Sequence, residues 1–131
     1  MSDYCLKLQA KPADIDELGH VNNAVWVRWI QELATAHWNT IAPEAAKARY
    51  IWVVTRHEID YRGNIGVGTE VTGRTWIADP PRGARFWRNS RFTDADGKTI
   101  VEAKTNWAII ERAKGRVVRV PSDLADLFLV N

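Results

Sequence analysis

One long amphipathic helix is the feature that most constrains how this chain folds. From about Asn23 to Trp38, apolar side chains recur at helical spacing, and Asn22 or Asn23 is able to cap the first turn. Pro43 and a polar run then interrupt the pattern. A single helix with one apolar face must bury that face against another element, and the rest of the chain indicates what that element is.

The segments on both sides of this helix have the alternation or the composition of strands. One strand is predicted before the helix, over residues 4–10, and four or five follow it in meander order. The later strand-like segments are YIWVVTRHEIDY, TEVTGRTWI, ARFWRNSRFTD, TIVEAKTNWAIIE and VVRVP. A short helix over SDLADLFL, capped by Ser122, completes the chain. We therefore predict an α+β fold, in which a curved antiparallel sheet of five to six strands wraps around one long central helix.

Length and composition indicate one globular domain over residues 1–131, with 46% hydrophobic and 26% charged residues. The formal net charge is only +2 and the basic residues are scattered, so no nucleic-acid partner is expected. Cys5 is the only cysteine, which excludes an intramolecular disulfide and favours a reducing compartment. The N-terminus lacks a signal pattern and no stretch approaches a membrane span. We expect a cytoplasmic protein that does not enter a membrane.

The stretch DIDELGHVNN, directly ahead of the helix, concentrates carboxylate, imidazole and amide groups. Hydrolysis of an ester or thioester needs a carboxylate that activates water or attacks the carbonyl, and donors for the oxygen that becomes negative. Free amides at the start of a helix are such donors, and Gly19 allows the backbone to bend near them. The stretch would therefore suit acyl transfer. Solvated loop acids and helix caps would explain the same residues.

The same stretch carries a family resemblance. DIDELGHVNNAVWVRWIQELA resembles the acyl-CoA thioesterases of the 4-hydroxybenzoyl-CoA thioesterase type and the plant acyl-ACP thioesterases. Both families have Asp-x-Asp near the end of the first strand and an aromatic-rich helix soon after. Weaker matches in EIDYRGNIGVGTEVTGRTWI and GRVVRVPSDL extend the resemblance over nearly the whole chain. It implies a hot-dog fold and hydrolysis of an acyl-CoA or acyl-ACP thioester, without a cofactor or a metal.

The resemblance also assigns roles to residues. The catalytic aspartate falls on Asp16, the helix amide that polarises the carbonyl on Asn23, and the histidine of the acyl-ACP branch on His20. Asn22 would help His20 to orient substrate or water, and Glu32 matches a helix acid common in the family. The chain departs from the acyl-ACP branch in one respect, because Leu18 stands where that branch has an asparagine.

Coenzyme A carries phosphates, and Arg82 and Arg85 are the residues we assign to them, although a solvated strand face would also explain these arginines. The resemblance implies a homodimer or homotetramer with sites at the subunit interface. Two other functions remain open for a hot-dog protein: hydration or dehydration of an acyl thioester, and binding without catalysis. The spacing of Asp16 and His20 disfavours the first, and the intact HVNN motif disfavours the second.

Overall fold

The predicted central helix is present. The computed structural model describes residues 2–129, and in it α1 runs from Asn23 to Ile41. Ala42 ends the helix in an extended conformation, as expected for the residue before Pro43. The face of α1 that packs on the sheet consists of Val25, Trp26, Trp29, Ile30, Leu33, Ala34 and His37. The periodicity of the sequence therefore identified both the helix and its buried side.

Within residues 2–129, six strands and two further helices accompany α1. The strands are β1 (Asp3–Gln9), β2 (Tyr50–Tyr61), β3 (Glu70–Trp76), β4 (Arg85–Thr93), β5 (Thr99–Glu111) and β6 (Arg116–Val117). The helices are α2 (Glu44–Arg49) and α3 (Ser122–Leu129), and a 3-10 turn lies at Pro12–Asp14. The polar run assigned to a break between elements thus forms α2. Glu44 in its first turn and Lys47 and Arg49 in its last complement the helix dipole, which favours a short helix there.

All strand pairs in the sheet are antiparallel, in the order β1-β3-β4-β5-β2, with β6 beside the end of β5. The predicted meander is correct for β3, β4 and β5 but wrong for β2, which pairs with β5 instead of β3. The eight-residue connection 62–69 is long enough to cross from one side of the sheet to the other. Its Ile65 is buried in the core, so the connection also packs against the interior of the molecule.

The sheet curls around α1 and buries one face of each central strand. On β4 the buried side chains are Phe86, Arg88, Ser90 and Phe92, which are every second residue of the segment ARFWRNSRFTD. The helix packs closely against β3 at Gly73, where a Cβ atom would lie 2.9 Å from Phe92 Cε1 and 3.1 Å from a methyl carbon of Leu33. No helix among residues 2–129 is long and apolar enough to cross a membrane.

Candidate active site at the start of α1

A five-residue loop, residues 16–20, presents the Asp16 carboxylate. The Asp16 amide donates to the His20 carbonyl at 2.8 Å, and Gly19 turns the chain with a φ of 77°. Asp16 Oδ1 accepts hydrogen bonds from the backbone amides of Leu18, at 2.9 Å, and His20, at 3.1 Å. Among residues 2–129 no hydrogen bond or ion pair reaches the other carboxylate oxygen. The loop therefore fixes the orientation of the Asp16 side chain and leaves one oxygen available.

The connection between β2 and β3 holds this loop in place. The Val21 amide donates to the Ile65 carbonyl and to Asn64 Oδ1, both at 3.1 Å, and Asn64 Nδ2 donates back to the Val21 carbonyl at 3.3 Å. A Cβ atom on Gly66 would lie 3.6 Å from the Gly19 carbonyl oxygen, so the two loops are in direct contact. The crossover that the sequence did not predict is thus the support of the candidate site.

The first turn of α1 lies next to the loop. Asn22 caps the helix, because its Oδ1 accepts from the Ala24 amide at 2.9 Å. Asn23 is the first helical residue, and its backbone N–H has no hydrogen-bond partner in the described part of the chain. Asp16 and His20 thus share the loop, and Asn22 and Asn23 follow it at the start of α1. Asn22, assigned to substrate binding, has its side-chain oxygen engaged in the cap.

The two aspartates of the Asp-x-Asp pair have different environments. Asp14 is buried and accepts hydrogen bonds from the Lys11 amide and from Arg28 Nη2, both at 3.0 Å. The bond from the Lys11 amide, with the Arg28 guanidinium beside it, lowers the pKa of Asp14 below its ordinary value. Asp14 therefore connects the chain to α1 through its bond with Arg28, whereas Asp16 is the carboxylate that remains accessible.

Glu32 does not reach this site within one chain. It is half exposed and forms an ion pair with Arg28, 3.4 Å from Arg28 Nε to its carboxylate. Glu32 follows Asn23 by nine residues, which corresponds to about 13 Å along the helix. In one chain its contacts are those of a surface ion-pair network with Arg28 and Asp14.

Arg82 and Arg85 lie at the opposite end of the sheet from Asp16. They form a tight turn, with reciprocal backbone hydrogen bonds of 2.8 and 3.0 Å, and both are exposed. Arg85 pairs with Ala108, whereas the chain beside the candidate site is bonded to Ile100 at the other end of β5. Eight strand residues correspond to about 26 Å. One subunit alone does not combine these arginines with Asp16.

Sequence reasoning missed two residues that build the site, Asn64 and Arg28. Asn64 lies in the glycine-rich GNIGVG segment, and an asparagine that pairs with a distant peptide group looks in sequence like any turn residue. Arg28 lies on the polar side of α1, where solvation is the ordinary expectation. Within residues 2–129, no three His, Cys, Asp or Glu side chains are grouped so as to hold a metal ion.

The fold is shared with solved structures of low sequence identity. A 1,4-dihydroxy-2-naphthoyl-CoA thioesterase from Synechocystis is 14% identical, with a TM-score of 0.80 and coverage of 97% of this chain and 96% of that chain. A hypothetical protein from Staphylococcus aureus in complex with CoA is 13% identical, with a TM-score of 0.85 and coverage of 96% and 81%. An acyl-ACP thioesterase from Bacteroides thetaiotaomicron is 22% identical, with a TM-score of 0.77 and coverage of 88% and 49%. These likenesses confirm the hot-dog fold.

No curated protein matches the sequence significantly. A family match nevertheless covers most of the chain, since the sequence model of the Thioesterase-like superfamily matches residues 10–128. That range includes the Asp16 loop, the whole of α1 and nearly all of α3. The chain belongs to the Thioesterase-like superfamily.

Proposed function

We propose that this protein hydrolyses acyl thioesters of CoA or of acyl carrier protein to a free carboxylic acid and a thiol. The observations that carry the proposal are an oriented, accessible carboxylate, Asp16, in the loop directly ahead of α1, and a free backbone amide at Asn23, the first residue of that helix. Family membership and the thioesterase structures with the same fold support this reaction class.

In the proposed mechanism Asp16 acts as a general base. Its free oxygen takes a proton from a water molecule as that water attacks the thioester carbonyl carbon. The carbonyl oxygen becomes negative and accepts a hydrogen bond from the Asn23 amide, which the positive end of the α1 dipole strengthens. The tetrahedral intermediate then collapses, the C–S bond breaks, and the departing thiolate takes up the proton. Direct attack by Asp16, with an anhydride intermediate, is the less favoured variant.

His20 and Asn22 are proposed to orient the water or the substrate. His20 is exposed at the end of the loop, and its backbone amide already contacts Asp16. Leu18, at the position where the acyl-ACP branch has an asparagine, contributes its backbone N–H to Asp16 while its side chain is 80% exposed. The orientation of Asp16 therefore does not require an amide side chain at position 18.

A homodimer, or a tetramer of such dimers, would complete the site. β2 pairs with β5 on one side only, so its other edge is free to pair with a second copy. Two-fold antiparallel pairing of β2 would place the Tyr50 end of one subunit beside the Tyr61 end of its partner. Arg82 and Arg85 of one subunit would then lie on the same side as Asp16 of the other, where they would bind the phosphates of CoA.

The proposal is tested by thiol release from short, medium, long and aromatic acyl-CoA esters. We expect hydrolysis of at least one class, and loss of that activity in Asp16→Asn. An Arg82→Ala/Arg85→Ala double variant should raise KM for the CoA ester and make KM less sensitive to salt, because two phosphate contacts are removed. A double variant with unchanged KM and unchanged salt dependence would exclude these arginines from CoA binding.

A further inference from the structure

A buried arginine lies on the concave face of the sheet, away from the Asp16 loop. Arg88 is only 5% exposed, and its Nη1 donates to His37 Nδ1 at 2.9 Å and to Thr75 Oγ1 at 3.1 Å. Its guanidinium also lies over the Phe128 ring, 5.3 Å from the centroid. Among residues 2–129, no carboxylate lies within ion-pair distance of it. Burial lowers the pKa of Arg88 to about 9, and the group remains charged at pH 7.

The two contacts of Nη1 leave the other edge of the guanidinium unused. Nε and Nη2 together present a planar pair of N–H donors, and neither has a hydrogen-bond partner in the described part of the chain. This is the edge that binds a carboxylate through two parallel hydrogen bonds. A buried cation without a counter-ion is unfavourable for folding, and an apolar side chain of similar size would fill the site more favourably. A bound anion would compensate that charge.

A cavity of about 350 Å³ adjoins this arginine. Its walls include five aromatic side chains: Trp38, Trp52, Phe86, Trp107 and Phe128. Lys47 and Arg112 also line it, and no Asp or Glu does. The volume is at the lower end of the range for small-molecule sites, and a mainly aromatic wall with a few charged groups is typical of them. The chemistry of the cavity fits a flat apolar group that carries a single negative charge.

We propose that this cavity binds an aromatic carboxylate, whose charged group pairs with the free edge of Arg88. The inference rests on the proposed function, and the occupant is the carboxylic acid that thioester hydrolysis releases. Arg88 lies beside His37, which is fourteen residues, or about 21 Å, along α1 from Asn23. The cavity is therefore separate from the Asp16 loop of the same subunit. In the antiparallel dimer the β2 end that borders it, at Trp52, would face the Asp16 end of the partner.

The test is calorimetric titration of the full chain with 2-naphthoate and with neutral 2-naphthamide, which has nearly the same shape. We expect naphthoate to bind at least about tenfold more tightly, because only the carboxylate compensates Arg88. Arg88→Met should remove this preference, while Arg112→Met, at a cation that lines the same cavity, should change naphthoate affinity by less than about threefold. A folded wild type that binds both compounds equally, or neither, would overturn the proposal.

Two further measurements separate a failed site from a failed fold or a failed function. The naphthoate–naphthamide comparison on the wild type needs no variant, so it decides the question even where Arg88→Met does not fold. The second measurement is hydrolysis of the acyl-CoA panel by the wild-type protein, which reports on the Asp16 site whatever the outcome of the titration. Naphthoate binding without hydrolysis of any ester would refute the thioesterase proposal and leave the binding site established.

Discussion

The contrast between Asp14 and Asp16 predicts that Asp14 contributes mainly to stability. In an Asp14→Asn variant, the buried side chain loses its charge, its ion pair with Arg28 at 3.0 Å, and the charge-assisted character of its bond from the Lys11 amide. Arg28 is half exposed and retains Glu32 as a partner, so it does not become a buried unpaired charge. The loss of stability is therefore smaller than the loss expected when one partner of a fully buried ion pair is removed.

We expect Asp14→Asn to lower the free energy of unfolding by about 2 kcal/mol, the sum of one weakened charged hydrogen bond and one half-exposed ion pair. The sign of the pH dependence follows from the lowered pKa of Asp14. The stabilisation is present above the ordinary value of 3.8 and is lost as the pH falls through the lower folded-state pKa. The difference in free energy of unfolding between wild type and Asp14→Asn should therefore decrease as the pH is lowered.

Urea denaturation followed by tryptophan fluorescence measures this difference at pH 7 and again in acid. The matched control is Glu17→Gln, an exposed carboxylate in the adjoining loop, which should change the free energy of unfolding by less than about 0.5 kcal/mol. The reasoning would be refuted if Asp14→Asn were as stable as Glu17→Gln at neutral pH. It would also be refuted if the loss in Asp14→Asn did not depend on pH.

Two other predictions concern the core. Gly73→Ala should destabilise the protein by about 1–3 kcal/mol, measured by urea denaturation, because its Cβ would lie 2.9 Å from the ring of Phe92; an unchanged midpoint would contradict this close packing. Burial lowers the pKa of His37 to about 4, and the charge of Arg88 adds to this effect. The charge of Asp3 opposes it more weakly. As the pH falls, the unfolded chain therefore binds a proton at His37 before the folded chain does. The free energy of unfolding of the wild type should decrease by about 3 kcal/mol between pH 6.5 and 4. In His37→Gln that part of the pH dependence should be absent, and an unchanged slope would exclude His37 as its source.

Local sequence patterns were sufficient to predict α1, the strands and α3, but not the short helix α2. The helical stripe of α1 and the alternation of β4 depend on residues a few positions apart, and each identified the buried face. The alternation even placed Arg88 among apolar residues, which is the signal for its burial. The position of β2 could not be predicted in this way, because strand order depends on where the connection 62–69 crosses the molecule.

The same difference between local and long-range contacts decides which features of the candidate site could be predicted. Asp16, His20, Asn22 and Asn23 are close in sequence, so their position in the loop ahead of α1 and in its first turn follows from local sequence, whereas their joint role in a site stays a prediction. The different environments of Asp14 and Asp16 could not be predicted, because Asp14 is held by a side chain fourteen residues away. The separation of Arg82 and Arg85 from Asp16 is likewise a property of the sheet register.

The central claim is that the free oxygen of Asp16 activates water for thioester hydrolysis. The most direct test compares kcat for the best acyl-CoA substrate between wild type, Asp16→Asn and Glu17→Gln, each confirmed as folded by thermal denaturation. Asparagine preserves an Oδ1 acceptor for the amides of Leu18 and His20, so the loop should persist while the base is removed. We predict a fall in kcat of about 10²–10⁴-fold for Asp16→Asn and almost none for Glu17→Gln. A folded Asp16→Asn protein with near wild-type kcat would contradict the account.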